Sequence, residues 1–203
     1  QTAMNELSNH DHSRFLTRTN HKVGRISYAG AEAASEGVNP AVMREAVVMQ
    51  MTWPGAPTVY YGDEAGMVGW TDPDNRRSYP WGKQDWELIE FHKDMIRIHK
   101  KYECFRSGSY KSIASGSHWI CYGRFNKKLQ AVILINNRRE TLTVDLPIWQ
   151  IGILENACLK RMIQTTQSTY NVGEVMERAE DGILHVTVGP QTASVYIAAK
   201  NVE

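Results

Sequence analysis

Along the first hundred residues apolar positions recur at helical spacing in two places. Met43, Ala46 and Val47 follow Asn39-Pro40, a capping residue and a residue suited to the first helical position, so a helix is expected from there. It should stop at Trp53-Pro54-Gly55, because proline has no N–H to donate and disfavours helical geometry in the residue before it, while glycine admits positive φ. Leu88, Phe91, Met95, Ile98 and Tyr102 form the stripe of a second helix, capped by Asp85 and running to about Lys101. Its acidic Glu87 and Glu90 come early and its Lys100 and Lys101 late, as the helix dipole favours. Between the helices, Thr58-Val59-Tyr60-Tyr61 reads as a short strand buried on both faces and ended by Gly62. Residues 16–38, with Gly24, Gly30 and Gly37 among polar positions, read as a connecting loop.

From Phe105 onward the period changes from 3.6 to two. Residues 118–125 and 129–136, joined by Asn126-Lys127-Lys128, read as a hairpin, and 141–146, 182–188 and 193–199 as further strands of an antiparallel domain. Residues 164–173 read as a polar stretch without an element of their own. The net charge of +1 and 42% hydrophobic content describe a globular protein, with neither the basic excess of a nucleic-acid binder nor the charge of a disordered tail. No apolar run approaches the ~20 residues of a membrane helix. Cys104, Cys121 and Cys158 have no CxxC spacing and read as buried free thiols, which weakly favours a cytoplasmic address.

Polar chemistry concentrates after Gly62. Asp63, Glu64, Asp72, Asp74, Asn75, Arg76 and Arg77 alternate with Trp70, Tyr79 and Trp81, hydroxyl-binding groups beside flat apolar faces that can stack on sugar rings. In a β/α barrel such groups occupy the loops after strand C-termini. The run Gly55-x-Pro57-x-x-Tyr60-Tyr61-Gly62-Asp63-Glu64, followed by Asp72-Pro73-x-Asn75-Arg76-Arg77 and Pro80-Trp81, resembles the α-amylase family of retaining glycoside hydrolases. It is nearest to the neopullulanase, cyclomaltodextrinase and maltogenic-amylase branch. Some fifty residues upstream, Ser8-Asn9-His10-Asp11 is similar to the family's Asn-His-Asp motif at the end of barrel strand 7.

The resemblance implies a mixed α/β plus all-β chain. Residues 1–106 would be the last two β/α units, elements 7 and 8, of a TIM-type (β/α)8 barrel, and 107–203 an antiparallel β-sandwich domain. Residues 1–15 would then hold the end of strand 7 and its loop, although Ala3, Met4 and Leu7 give it little pattern. Retaining glycosidases need two carboxyl groups roughly 5–5.5 Å apart, and in this family the nucleophile sits in a Gly-x-Arg-x-Asp run. No such run occurs here, since Gly24-Arg25 and Gly123-Arg124 lack the spacing. The chain is thus expected to be the C-terminal part of a longer α-glucosidic hydrolase and inactive alone.

By resemblance Asp11 is the third catalytic carboxylate, a transition-state stabiliser gripping sugar hydroxyls, and His10 bonds the same ring. Asp72 and Arg76 would hold a glucose further along the chain. Simpler roles stay open: Asp11 as a turn cap, His10 as a histidine satisfied by backbone, Asp72–Arg76 as a local salt bridge. Asn9 reads as structural, Tyr60 and Tyr61 as core or wall, and Asp74 and Arg77 as ambiguous between a role in the site and simple solvation. Trp70 and Trp81 read as sugar platforms or packing anchors, and Glu64 does not occupy the family's proton-donor position. His12 stands where relatives carry a small residue, which bears on the innermost subsites. The implied partner is a neutral α-glucan oligosaccharide, with no nucleic acid or membrane and with association of copies left open. No organic cofactor or metal is implied within this chain, any Ca2+ site lying outside it. The alternative is a non-catalytic carbohydrate-binding or scaffold module, or a relative serving transport or recognition. Cut from its barrel, the N-terminal half should show open strand edges and an uncovered apolar helix face. It should then be ordered only when docked on a partner or rearranged, whereas 107–199 folds alone.

Overall fold

A computed structural model describes residues 3–198; Gln1, at the start of the first expected strand segment, and Ala199, at the end of the last, lie outside them. The chain begins with β1 (Met4–Glu6), a short α1 (Phe15–Arg18) and a short α2 (Ile26–Ala29), then α3 (Pro40–Thr52) and β2 (Ala56–Thr58). There follow α4 (Trp86–Lys101) and a single-turn α5 (Glu103–Ser107). The rest is β structure: β3 (Ser109–Gly116), β4 (Trp119–Phe125), β5 (Gln130–Asn136), β6 (Leu142–Pro147), β7 (Cys158–Thr165), β8 (Tyr170–Arg178), β9 (Ile183–Val188) and β10 (Thr192–Ala198).

Both long helices obey their local chemistry. The Asn39 side chain accepts the N–H groups of Ala41 and Val42, Pro40 opens α3, and Trp53 ends it ahead of Pro54. Asp85 accepts the N–H of Leu88 at the start of α4, and the expected stripe of Leu88, Phe91, Met95 and Ile98 is buried. The segment 16–38 is more ordered than a plain loop, since α1, α2 and a 3-10 turn at Glu32–Ser35 lie within it.

β1 and β2 run parallel, Met4 opposite Ala56 and Glu6 opposite Thr58, with α3 between them in sequence. The strand expected at 58–61 is displaced to 56–58 and is not buried on both faces: Val59 and Tyr61 are exposed. Among the described residues β1 and β2 pair only with each other, so no sheet flanks them to bury a second face.

A six-stranded antiparallel sheet in the order β3-β4-β5-β10-β7-β8 occupies the C-terminal part, faced by a separate antiparallel pair, β6-β9. One face of the sheet packs on α3 and α4: Met43, Val47, Met51, Phe91 and Met95 share a core with Tyr122, Ile133, Ile163 and Val195. The other face, with Cys121, Leu134, Leu159 and Tyr196, packs on Leu146, Leu184 and Val186 of β6 and β9 and on the 3-10 turn Ile148–Ile151. The faces of α3 and α4 that carry Met43, Val47, Met51, Phe91 and Met95 are therefore covered by the chain's own sheet. β1 and β2, paired only with each other among the described residues, keep open outer edges as expected, and Ala46 and Met49 of α3 stay only partly buried.

Buried polar groups fix this seam. Arg124 is almost wholly buried and gives hydrogen bonds to Thr52 O (2.6 Å) and Gly108 O (3.0 Å), while the Tyr122 and Thr52 hydroxyls meet at 2.6 Å. A cation at the last carbonyls of α3 also complements the helix dipole. Because β2 begins four residues after Thr52, the seam sets where the polar segment beyond β2 starts.

Phe91→Ala, which empties a site shared by helix and sheet, should cost ~3–5 kcal/mol. Near-ultraviolet dichroism, which reads aromatic packing, and far-ultraviolet dichroism, which reads helix and sheet, should be lost in one denaturant transition; separate transitions would contradict the shared core. Glu45 is buried in α3 with one carboxylate oxygen unpartnered, and burial lifts its carboxyl to about 8 from 4.5. The unfolded chain ionises near 4.5 and the folded one near 8, so stability is lost as pH rises through that window, on the order of 5 kcal/mol when complete. Glu45→Gln should raise the melting temperature at pH 9 by clearly more than at pH 5, as calorimetry would read.

Candidate functional site

Parallel pairing sends the chain off β1 and β2 at the same end, so the segments 7–14 and 59–77 meet there. This brings together all four residues singled out by sequence. His10 Nε2 lies 3.5 Å from Asp11 Oδ1, and both side chains are about two-thirds exposed. Arg76 connects them to the fourth residue, giving Nε to His10 O at 3.2 Å and Nη2 to Asp72 Oδ1 at 2.7 Å.

The main chain beneath this cluster is held from one side. Four successive carbonyls accept side-chain hydrogen bonds from the segment 71–76: Asn9 O and His12 O from Asn75 Nδ2 (3.1 and 2.7 Å), His10 O from Arg76, and Asp11 O from the Thr71 hydroxyl (2.8 Å). The Asn9 side chain accepts the N–H groups of Asp11 and His12 and donates to Glu6, the structural role expected of it. With the backbone groups occupied below, the imidazole and carboxylate of His10 and Asp11 stand toward solvent. An outward carboxylate beside an imidazole and an exposed Asp–Arg pair is suited to bonding sugar hydroxyls.

Below lies Arg14, fully buried. It donates to Tyr61 O (2.6 Å), Asn75 O (2.8 Å) and Asp63 Oδ1 (3.1 Å), and its guanidinium lies 4.1 Å from the Tyr60 ring centre and 4.7 Å from that of Tyr61. Burial pushes the Asp63 carboxyl above its usual range, against hydrogen bonding from Ser8 and the charge of Arg14. Among the described residues no three His, Cys, Asp or Glu side chains converge as a metal site requires.

The α-amylase catalytic-domain family model matches residues 1–138, more than half of the chain and all of this site. The chain belongs to the α-amylase family. It is 35% identical over 156 residues to neopullulanase 2 of Thermoactinomyces vulgaris, covering 75% of this chain and 24% of that protein. To the cyclomaltodextrinase of Thermoanaerobacter pseudethanolicus it is 33% identical over 161 residues, covering 77% and 25%. The chain thus spans about a quarter of the length of these relatives. Among solved structures, the α-amylase of Geobacillus thermoleovorans in complex with acarbose superposes over 99% of this chain and 40% of its own, with a TM-score of 0.77 at 25% identity.

Within this α-amylase-family chain several expectations need correction. Asp74 is buried rather than solvated: its carboxylate, 5% exposed, accepts Trp70 N–H (2.8 Å) and two N–H groups of the partly exposed Arg77 (2.9 and 2.7 Å), closing the 3-10 turn Asp74–Arg76. Trp70 is a packing anchor, its indole N–H on Gly30 O and its ring against Gly24, where a Cβ would come within 2.8 Å. Trp81 stands 79% exposed, its ring 4.6 Å from that of Tyr79. Tyr60 and Tyr61 are wall, and Glu64 is tied to the Gly62 N–H. Arg14 and Thr71 had no signal in a single sequence, because their work is hydrogen bonding across some fifty to sixty residues of chain. Asn75 was visible as a position of the Asp72-Pro73-x-Asn75-Arg76-Arg77 run, but nothing in that run showed that its amide holds the segment 9–12.

The two acidic residues of the segment should separate in their effect on stability. Asp74→Asn removes a buried charge from Arg77 and should cost about 2–3 kcal/mol, while Asp72→Asn, in a half-exposed pair, should cost under about 1 kcal/mol. Urea unfolding of the two variants measures both.

Proposed function

We propose that this chain is the C-terminal part of a longer retaining glycosidase that cleaves α-glucosidic bonds in starch-derived oligosaccharides, cyclodextrins or pullulan. The observation that carries this is the outward-facing His10–Asp11 pair, joined through Arg76 to Asp72 at the common end of two parallel strands, within the stretch matching the catalytic domain. The names of the relatives support the substrate class. Residues 1–106 would supply the last two elements of the barrel and 107–203 the β-sandwich behind it.

In this scheme the nucleophile and the general acid come from outside this chain. Asp11 bonds hydroxyls of the sugar ring next to the scissile bond, and those bonds strengthen as the ring flattens toward the oxocarbenium-like transition state. His10 holds the same ring, and Asp72 and Arg76 hold the glucan further along. Arg76 reaches a sugar only while also holding His10 O and Asp72, so its substitution would disturb the loop as well as the subsite.

In the full-length enzyme, Asp11→Asn should lower maltooligosaccharide or cyclodextrin hydrolysis by at least about 10³-fold with the fold intact, and the 203-residue chain alone should cleave neither. Unchanged hydrolysis by the variant would remove Asp11 from the chemistry. An inactive full-length protein that still binds the oligosaccharide would make this a binding module.

A further inference from the structure

The segment that presents His10 and Asp11 is exposed, and its carbonyls could be met by water alone. Here the carbonyls of residues 9–12 are all taken by side chains, and two of them, three residues apart, by the one amide of Asn75. Asn75 is itself fully buried. Its main-chain carbonyl accepts Arg14 Nε at 2.8 Å, and Arg14 also donates to Asp63 and to Tyr61 O, a few residues beyond β2. The backbone around Asn75 is equally confined: Gly69 lies so close that a Cβ there would stand 2.6 Å from Asp74 O and 3.0 Å from Asn75 Cα. A continuous line of hydrogen bonds thus runs from the β2 end through Arg14 and Asn75 to both sides of His10–Asp11.

We propose that Asn75 is the positioning residue of this site: its amide brackets His10 and Asp11 by holding the carbonyls on either side, and Arg14 beneath fixes Asn75. The proposal rests on the assignment of Asp11 to the sugar ring. Two N–H groups at a fixed separation set both the height and the tilt of the intervening turn, which a single contact would not. A misplacement of about 1 Å at such a carboxylate can cost ~10²-fold in rate, and because it acts on transition-state contacts it falls on kcat more than on KM.

Two measurements on each variant test this. In the full-length enzyme, Asn75→Ala should lower kcat about 10²-fold with KM within about threefold, and Thr71→Val, which removes only the bond to Asp11 O, should lower kcat several-fold. In the 203-residue chain, hydrogen exchange at the Asp11 and His12 amides should quicken at least about tenfold in Asn75→Ala while α4 amides keep their protection. Should Asn75→Ala lose protection throughout, Thr71→Val supplies the same comparison in a folded chain. Unchanged exchange at residues 11 and 12 in a folded variant, or a loss carried wholly by KM, overturns the proposal. Asp11→Asn measured alongside separates the two levels: if it is as active as the parent, the functional assignment fails, and the exchange result still decides the positioning role.

Discussion

A charge that never meets water organises the functional end of this molecule. Taking a guanidinium out of solvent costs several kcal/mol unless it is paired. Arg14 offsets that cost through Nε and Nη1, which reach one carboxylate and two carbonyls, and through two aromatic faces, while its buried Nη2 has no hydrogen-bond partner. Those partners come from two stretches of sequence: Asp63 and the two tyrosines just beyond β2, and Asn75 in the turn that follows. None of them can move away without stranding the charge. The paired strand ends, the tight turn at 69–76 and the held carbonyls above it are therefore parts of one arrangement. The exposed residues His10, Asp11, Asp72 and Arg76 owe their places to groups that a ligand never touches.

That division explains what the sequence made legible. Asp11, His10, Asp72 and Arg76 belong to short motifs that resemble a known family, and the structure sets all four together. The groups beneath divide: Tyr60, Tyr61, Asp63 and Asn75 stand in the same motifs without showing what they hold, and Arg14 stands in none. Arg14 follows two polar residues in a stretch without period, and nothing local says that it is buried. Tyr60 and Tyr61 misled for a related reason: aromatic residues beside a valine read as a buried strand, whereas their rings serve the Arg14 guanidinium and the strand stops at Thr58.

The same contrast holds in the fold. α3 and α4 were readable because cap, stripe and stop all lie within one helix length, and β4–β5 because Asn126 closes its turn locally, accepting the N–H groups of Lys128 and Leu129. β3, β7 and β8 escaped notice. Register shifts fall between Ser112 and Ala114 in β3 and between Arg161 and Ile163 in β7, and each breaks the alternation that marks a strand. β8 is an edge strand whose Val172, Val175 and Met176 stay exposed, so its pattern does not separate an inner face from an outer one. The polar run at 164–173 turns out to be the end of β7, a turn and the start of β8.

The strand order carries a consequence for how such a chain is made. β10, with every residue buried, lies between β5 and β7 in the middle of the sheet, yet it is the last strand of the described chain to be translated. Until residue 198 leaves the ribosome, β5 and β7 each lack a neighbour, and the helices have only part of the floor on which they pack. Synthesis therefore carries the unfinished sheet, apolar on both faces, until Thr192–Ala198 has emerged, an interval in which aggregation competes with folding. A chain arrested shortly before Thr192 would contain every side chain of the candidate site but would lack the strand that completes the support beneath it.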